Sequence, residues 1–150
     1  LLVKAGDFMI KVVAAVIEKD GITHKIRANI VASQIDIHRL YGGVVPEIAG
    51  RAHIEAVSSI TYQALEEAGI GIGDIGAVGV TASPGLIGAL LVGVNFAKSL
   101  AFANRIPLIS VNHIHGHVAA AYLTDSTCLA CTIRLHIFTH LYDFAGTFMS

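Results

Sequence analysis

Cysteine is scarce in this chain. Cys128 and Cys131 are the only two in 150 residues, too few for a disulfide framework, which fits a reducing, cytoplasmic setting. Charge is scarce as well: 14% of residues are charged and 54% hydrophobic, the reverse of what a disordered chain needs. Neither sign dominates. Ten Lys and Arg against eleven Asp and Glu leave a net charge of -1, so the chain as a whole exerts no pull on nucleic acid. An RNA contact would need a local patch or a partner. The first ten residues contain Lys4 and Asp7 and no long apolar run, so they do not read as a signal peptide. Internal repeats and low-complexity tracts are absent.

Apolar sequence is what the chain has in quantity. The stretch from Ile75 to Ala97 has no charged residue and is long enough to cross a bilayer. Ser83-Pro84-Gly85 interrupts it, and a strand, a turn and a buried helix account for the same apolarity, so no membrane is expected. By length the chain is one domain, or one lobe of a larger protein. A fold of this size hides roughly two thirds of its unfolded surface, enough for a core.

The periodicities predict an α/β order. Ile10 to Ile17 reads as a strand and Asp20-Gly21 as a turn. Lys25 to Ser33 reads as a second strand, with Ile26, Ala28, Ile30 and Ala32 on one face, giving an antiparallel hairpin. Ser33 to Val45 reads as a polar connector. Pro46-Glu47 suits a helix start and Gly69 a helix stop. Between them Ile54, Val57, Thr61, Leu65 and Ala68 fall at helical spacing, with Arg51, Glu55, Gln63, Glu66 and Glu67 for the wet side. Ala77 to Thr81 predicts a strand, Ser83 an N-cap, Pro84 the first residue of a helix reaching about Asn104, and Pro107 to Val111 a second strand parallel to the first. Both of those strands read as buried on two faces. A further helix begins near His113, and the alternation from Leu129 to Ile137 predicts one more strand.

Asn112-His113-Ile114-His115-Gly116-His117 is the sharpest chemical feature. On a helix His113 and His117 are one turn apart on one face, a geometry that lets two imidazoles hold one metal ion, with His115 pointing elsewhere. Two imidazoles rarely complete a site, so a further ligand, commonly a carboxylate, is needed. The alternative is that these histidines cap the helix and bond to backbone. The Thr81-to-Gly88 turn could present N–H groups to an anion, or could serve close packing through Gly88 and Gly93. It is no P-loop, because no Gly-Lys-Ser/Thr follows. Cys128-Leu129-Ala130-Cys131 is a lone C-x-x-C without a second pair, and Cys131 reads as core. His38 and His53 read as surface residues.

Several linked motifs carry a family resemblance. Ser33-Gln34-Ile35-Asp36-Ile37-His38, Tyr41-Gly42-Gly43-Val44-Val45-Pro46-Glu47, Arg51-Ala52-His53, Pro84 to Gly93, and Asn112 to His117 occur in register. From about residue 14 to residue 123 the chain resembles the N-terminal lobe of the tRNA N6-adenosine threonylcarbamoyltransferase (TsaD) family, once described as O-sialoglycoprotein endopeptidases. The resemblance implies an actin-like ATPase fold of ribonuclease-H-like lobes: a mixed sheet with an antiparallel hairpin and parallel βαβ strands, and helices on both faces. It implies a single lobe over residues 1–150, with the C-terminal lobe absent.

The same resemblance implies transfer of a threonylcarbamoyl group from threonylcarbamoyl-adenylate to the adenosine beside the anticodon of tRNA. One divalent metal, iron or zinc, would be held by His113 and His117, with a carboxylate from the missing lobe and ATP or adenylate nearby. Pro84 and Gly85 would help shape the substrate cleft. The implied partners are a shorter paralogue of the same fold, the ATPase and adenylate-forming proteins of the pathway, and tRNA through that complex. Ile54, Val57, Thr61 and Leu65 are the candidate paralogue interface, and an apolar face left by the missing lobe opens a route to a homodimer. Two departures stand out. The family's initial Gly-Ile-Glu-Thr-Ser-Cys-Asp-type motif, at the phosphate end of the cleft, is missing from Leu1 to Val13. Its Ser-Gly-Gly-His motif is missing from Cys128 to Phe138, although Thr139-His140-Leu141-Tyr142 again resembles the family. A shifted reading frame or a degenerate copy would produce that pattern. A non-catalytic interaction module is the alternative role. A metalloendopeptidase is disfavoured, since it needs a general base by the metal and position 115 is His.

Overall fold

A computed structural model of the chain describes residues 2–5, 11–21, 23–41, 43 and 45–120. The expected strand from Leu129 to Ile137, Cys128, Cys131 and the segment from Thr139 lie outside the described residues. Among the described residues five strands form one sheet: β1 (Leu2–Ala5), β2 (Lys11–Asp20), β3 (Thr23–Ser33), β4 (Val78–Ser83) and β5 (Leu108–Asn112). Their order is β3-β2-β1-β4-β5. The β1–β2 and β2–β3 pairs are antiparallel, and β1–β4 and β4–β5 are parallel. Among the described residues there are four α-helices, α1 (Ile35–Arg39), α2 (Pro46–Ala68), α3 (Ile87–Asn104) and α4 (His113–Ala120), and a short 3-10 helix at Ile72–Asp74.

The period-two pattern explains the core. Val12, Ala14 and Val16 of β2 stand beside Ala32, Ile30 and Ala28 of β3 in register, and Val78 and Val80 continue the layer on β4. Val57, Ile60, Ala64 and Leu65 of α2 and Ala97 and Ala101 of α3 pack on it. α2 lies over β2 and β3, α3 over β1 and β4, and the two helices touch. Alanines at the contact let helix and sheet approach closely. α3 has the length and apolarity of a membrane span; its buried positions are Ala89, Leu90, Gly93, Ala97 and Ala101, and Ala97 and Ala101 belong to this core.

The hairpin, α2 and the parallel β4–α3–β5 unit form as the sequence predicts. Gly21 turns the hairpin at φ 57°, a region open mainly to glycine. α2 starts on Pro46 and stops at Gly69, at φ 67° and ψ 30°. There the Gly69 N–H donates to Glu66 O at 3.0 Å and the Ile70 N–H to Leu65 O at 3.1 Å, closing the orphan carbonyls. A Cβ on Gly69 meets no atom within 4 Å, so Gly69→Ala carries the backbone cost alone. Urea unfolding is expected to show a loss of about 1 kcal/mol.

Four expectations are corrected. The polar connector contains a helix, α1. Ser83 is not an N-cap and Pro84 does not open α3: Ser83 still pairs with Asn112 in the β4–β5 ladder, a residue before proline favours extended backbone, and the helix is entered from Leu86. β5 is not buried on two faces, because it is the edge strand of the described sheet, and Ile109 is 52% exposed. Ile54 faces outward, at 63% exposure. The inward stripe runs Ala49, His53, Val57, Ile60, Thr61, Ala64 and Leu65.

Candidate functional site

Strand direction gathers the candidate residues. β1, β3, β4 and β5 run the same way, so Ala5, Ser33, Ser83 and Asn112 end at one edge of the sheet. Neighbouring strands lie ~4.8 Å apart, which puts the α4 start beside the end of β4 and ~19 Å from the end of β3.

Asn112 sets the phase of α4. Its side-chain oxygen accepts from the Ile114 N–H at 2.9 Å and the His115 N–H at 3.2 Å, so Asn112, and no histidine, caps the helix. His113 and His117 then stack one turn apart. Their Nε2 atoms are 3.1 Å apart, and the rings meet edge to face with centroids 4.5 Å apart and planes at 83°. His115 is exposed, away from the pair. A cation ~2.0–2.1 Å from two imidazole nitrogens that stand 3.1 Å apart would see them at about 100°, near the angles that four- or six-coordinate ions accept. The pair therefore fits as two ligands of a metal. Among the described residues no group of three or more His, Cys, Asp or Glu completes such a site.

Pro84 and Gly85 form the exposed bend that follows Ser83, the last residue of β4, at the same edge. The first free N–H groups of α3 follow Leu86, past Pro84-Gly85. Gly88 has open space where a Cβ would stand, so packing does not require it, whereas Gly93 is buried. Of the expected paralogue interface, Val57, Thr61 and Leu65 are buried, and the Thr61 hydroxyl donates to Val57 O at 2.7 Å. Only Ile54 of the four is on the outer face, with Tyr62 two turns further on.

Sequence reasoning misplaced two histidines. His38 is 4% and His53 1% exposed, so neither is a surface residue. His53 lies four before Val57 and occupies the core stripe; a search restricted to apolar residues selects Ile54 in its place. Burial lowers the His53 pKa from its ordinary 6.5, the bond to Ala49 opposes that, and nearby His38 adds to the lowering.

An α/β fold of the actin-like ATPase type, with paired imidazoles at the ends of its parallel strands, is the class to which these features point. YeaZ from Pseudomonas aeruginosa superposes with a TM-score of 0.58 at 15% identity, over 81% of this chain and 49% of that one. At that identity the likeness carries the fold. Residues 25–133 match the TsaD family, tRNA N6-adenosine threonylcarbamoyltransferase, and the chain belongs to that family. The protein of that name from Clostridium novyi (strain NT) is 58% identical over 98 residues, 65% of this chain and 29% of the relative. The one from Geobacter sp. (strain M21) is 56% identical over 110 residues, 73% of this chain and 32% of the relative. The chain thus covers about a third of the curated relatives it matches.

Proposed function

We propose that this chain is the N-terminal, metal-binding lobe of a cytoplasmic enzyme that moves a threonylcarbamoyl group from its adenylate to the adenosine beside the anticodon of tRNA. The observation that supports it is the 3.1 Å approach of His113 and His117 Nε2, inside the residues matched to the family and at the edge where the parallel strands end. The residues have separable tasks. Asn112 holds the helix start, His113 and His117 supply two neutral nitrogen donors, and the Pro84-Gly85 turn borders the same edge and shapes the cleft. Iron or zinc held by His113 and His117 would supply Lewis-acid polarisation of the carbonyl to be transferred. A third ligand, from outside the described residues, completes the site, and ATP or adenylate enters with the second lobe.

A second reading, an interaction module that pairs with the shorter paralogue, is favoured by one observation: Ile54 and Tyr62 are exposed on the outer face of α2. In that reading the ATPase, the adenylate-forming protein and tRNA are reached through the complex, and the apolar face that a second lobe would cover is the route to a homodimer.

One preparation tests both. Metal per chain is measured after dialysis, and then modified adenosine in tRNA with adenylate and paralogue supplied. The expected result is loosely held metal that depends on His113 and no turnover by this chain alone. Equal metal on the His113→Ala chain would overturn the metal-binding assignment, and tight paralogue binding without metal would favour the module.

A further inference from the structure

Three polar side chains outside the histidine pair are buried where the segment after β3 meets α2. Gln34, His38 and His53 are each more than nine-tenths enclosed. Each has one polar atom with no hydrogen-bond partner among the described residues: Gln34 Oε1, His38 Nε2 and His53 Nε2. Buried polar atoms are almost always satisfied, so three at one place call for a cause.

The bonds that are made locate the protons. His53 Nδ1 lies 2.7 Å from Ala49 O, a carbonyl that can only accept, so Nδ1 carries the proton and Nε2 is a bare lone pair. A protonated Nδ1 cannot accept from an amide nitrogen, yet Gln34 Nε2 is placed 3.1 Å from it. The Gln34 amide belongs in the exchanged orientation, oxygen toward His53 and NH2 at the unpartnered position. His38 Nδ1 accepts from the Val45 N–H at 3.3 Å, so the His38 proton is on Nε2. The unpaired set is then two donors, on Gln34 and His38, and one acceptor, on His53. Gln34 and His38 are four apart, joined by the His38 N–H to Gln34 O bond of 3.3 Å, and share one face of that turn. His38 is also near enough to act electrostatically on His53.

We propose that Gln34, His38 and His53 close around one internal water molecule, which accepts from the Gln34 amide and the His38 Nε2–H and donates to His53 Nε2. A water molecule has that complement of donors and acceptors, and three bonds are usual for a buried one. A metal cation fails the same count, because it needs lone pairs and two of the three groups present N–H. The water ties α1 to α2 and so holds the segment that leaves the sheet at the edge shared with His113.

Long-range 1H–15N spectra of the folded, labelled chain test this without mutation. His53 is expected as the Nδ1–H tautomer and His38 as the Nε2–H tautomer, with a cross-relaxation peak from a long-lived water to the Hδ2 proton of each ring. The opposite tautomer in either ring, or the absence of the water peak, overturns the proposal. His38→Phe keeps a ring and removes the donor, and loss of the water peak at His53 is expected. Its survival in that variant overturns the assignment of His38.

Discussion

Replacing His53 by alanine is expected to destabilise the fold by about 3 kcal/mol, or a fall in Tm of ~10 °C for a chain of this length. His53 heads the largest fully buried side chains. Its loss opens a cavity between α2 and its surroundings and removes the partner of Gln34, which stays buried. His53→Leu restores volume without the bond and is expected to recover only part of the loss. Urea unfolding at constant m-value measures both variants, and a leucine variant as stable as the parent would show that the polar contact contributes nothing.

The same residue gives the chain a pH dependence. Burial holds the folded His53 pKa below 6.5, so between that lowered value and 6.5 the unfolded chain binds more protons than the folded one. Stability rises with pH where the unfolded state binds more protons. The His53 contribution is therefore complete above pH 6.5 and is lost as pH falls through the folded value. His53→Ala is expected to flatten this slope in unfolding measured between pH 7.5 and pH 5 (values chosen about the ordinary histidine pKa of ~6.5).

The second large effect is on metal affinity. Replacement of His113 or His117 by alanine is expected to weaken cobalt or zinc binding by the isolated chain at least ~10-fold. The double replacement is expected to be scarcely worse than either single one. If the two Nε2 atoms, 3.1 Å apart, bind one ion together, loss of either imidazole removes the chelate and leaves a single donor. Such a pair is strongly non-additive. Cobalt titration followed by visible absorption distinguishes this from independent donors, for which the losses would multiply. His115→Ala should leave the titration unchanged.

Local chemistry made much of the architecture legible in advance. Pro46 and Gly69 bound α2 because each matches a backbone demand at a helix end. His113 and His117 could be paired because four residues are one helical turn. Long-range placement was the illegible part. Nothing in the spacing of Gln34, His38 and His53 says that a short helix folds back on α2, and histidine carries no fixed inside or outside preference. Ser83 was misassigned because its competing role, pairing with Asn112, comes from another strand. The apolarity of β5 suggested enclosure, but its place at the edge comes from the order of the sheet.

Strand β1 occupies the middle of the sheet, bonded to β2 on one side and β4 on the other. Ladder bonds are made by peptide groups, which every residue but proline supplies alike. Changes of residue type along β1 can therefore leave the ladder nearly intact. At Asn112, by contrast, one substitution would disturb both the shape of α4 and the donors it carries. The same number of substitutions is therefore expected to cost more order at the start of α4 than along β1.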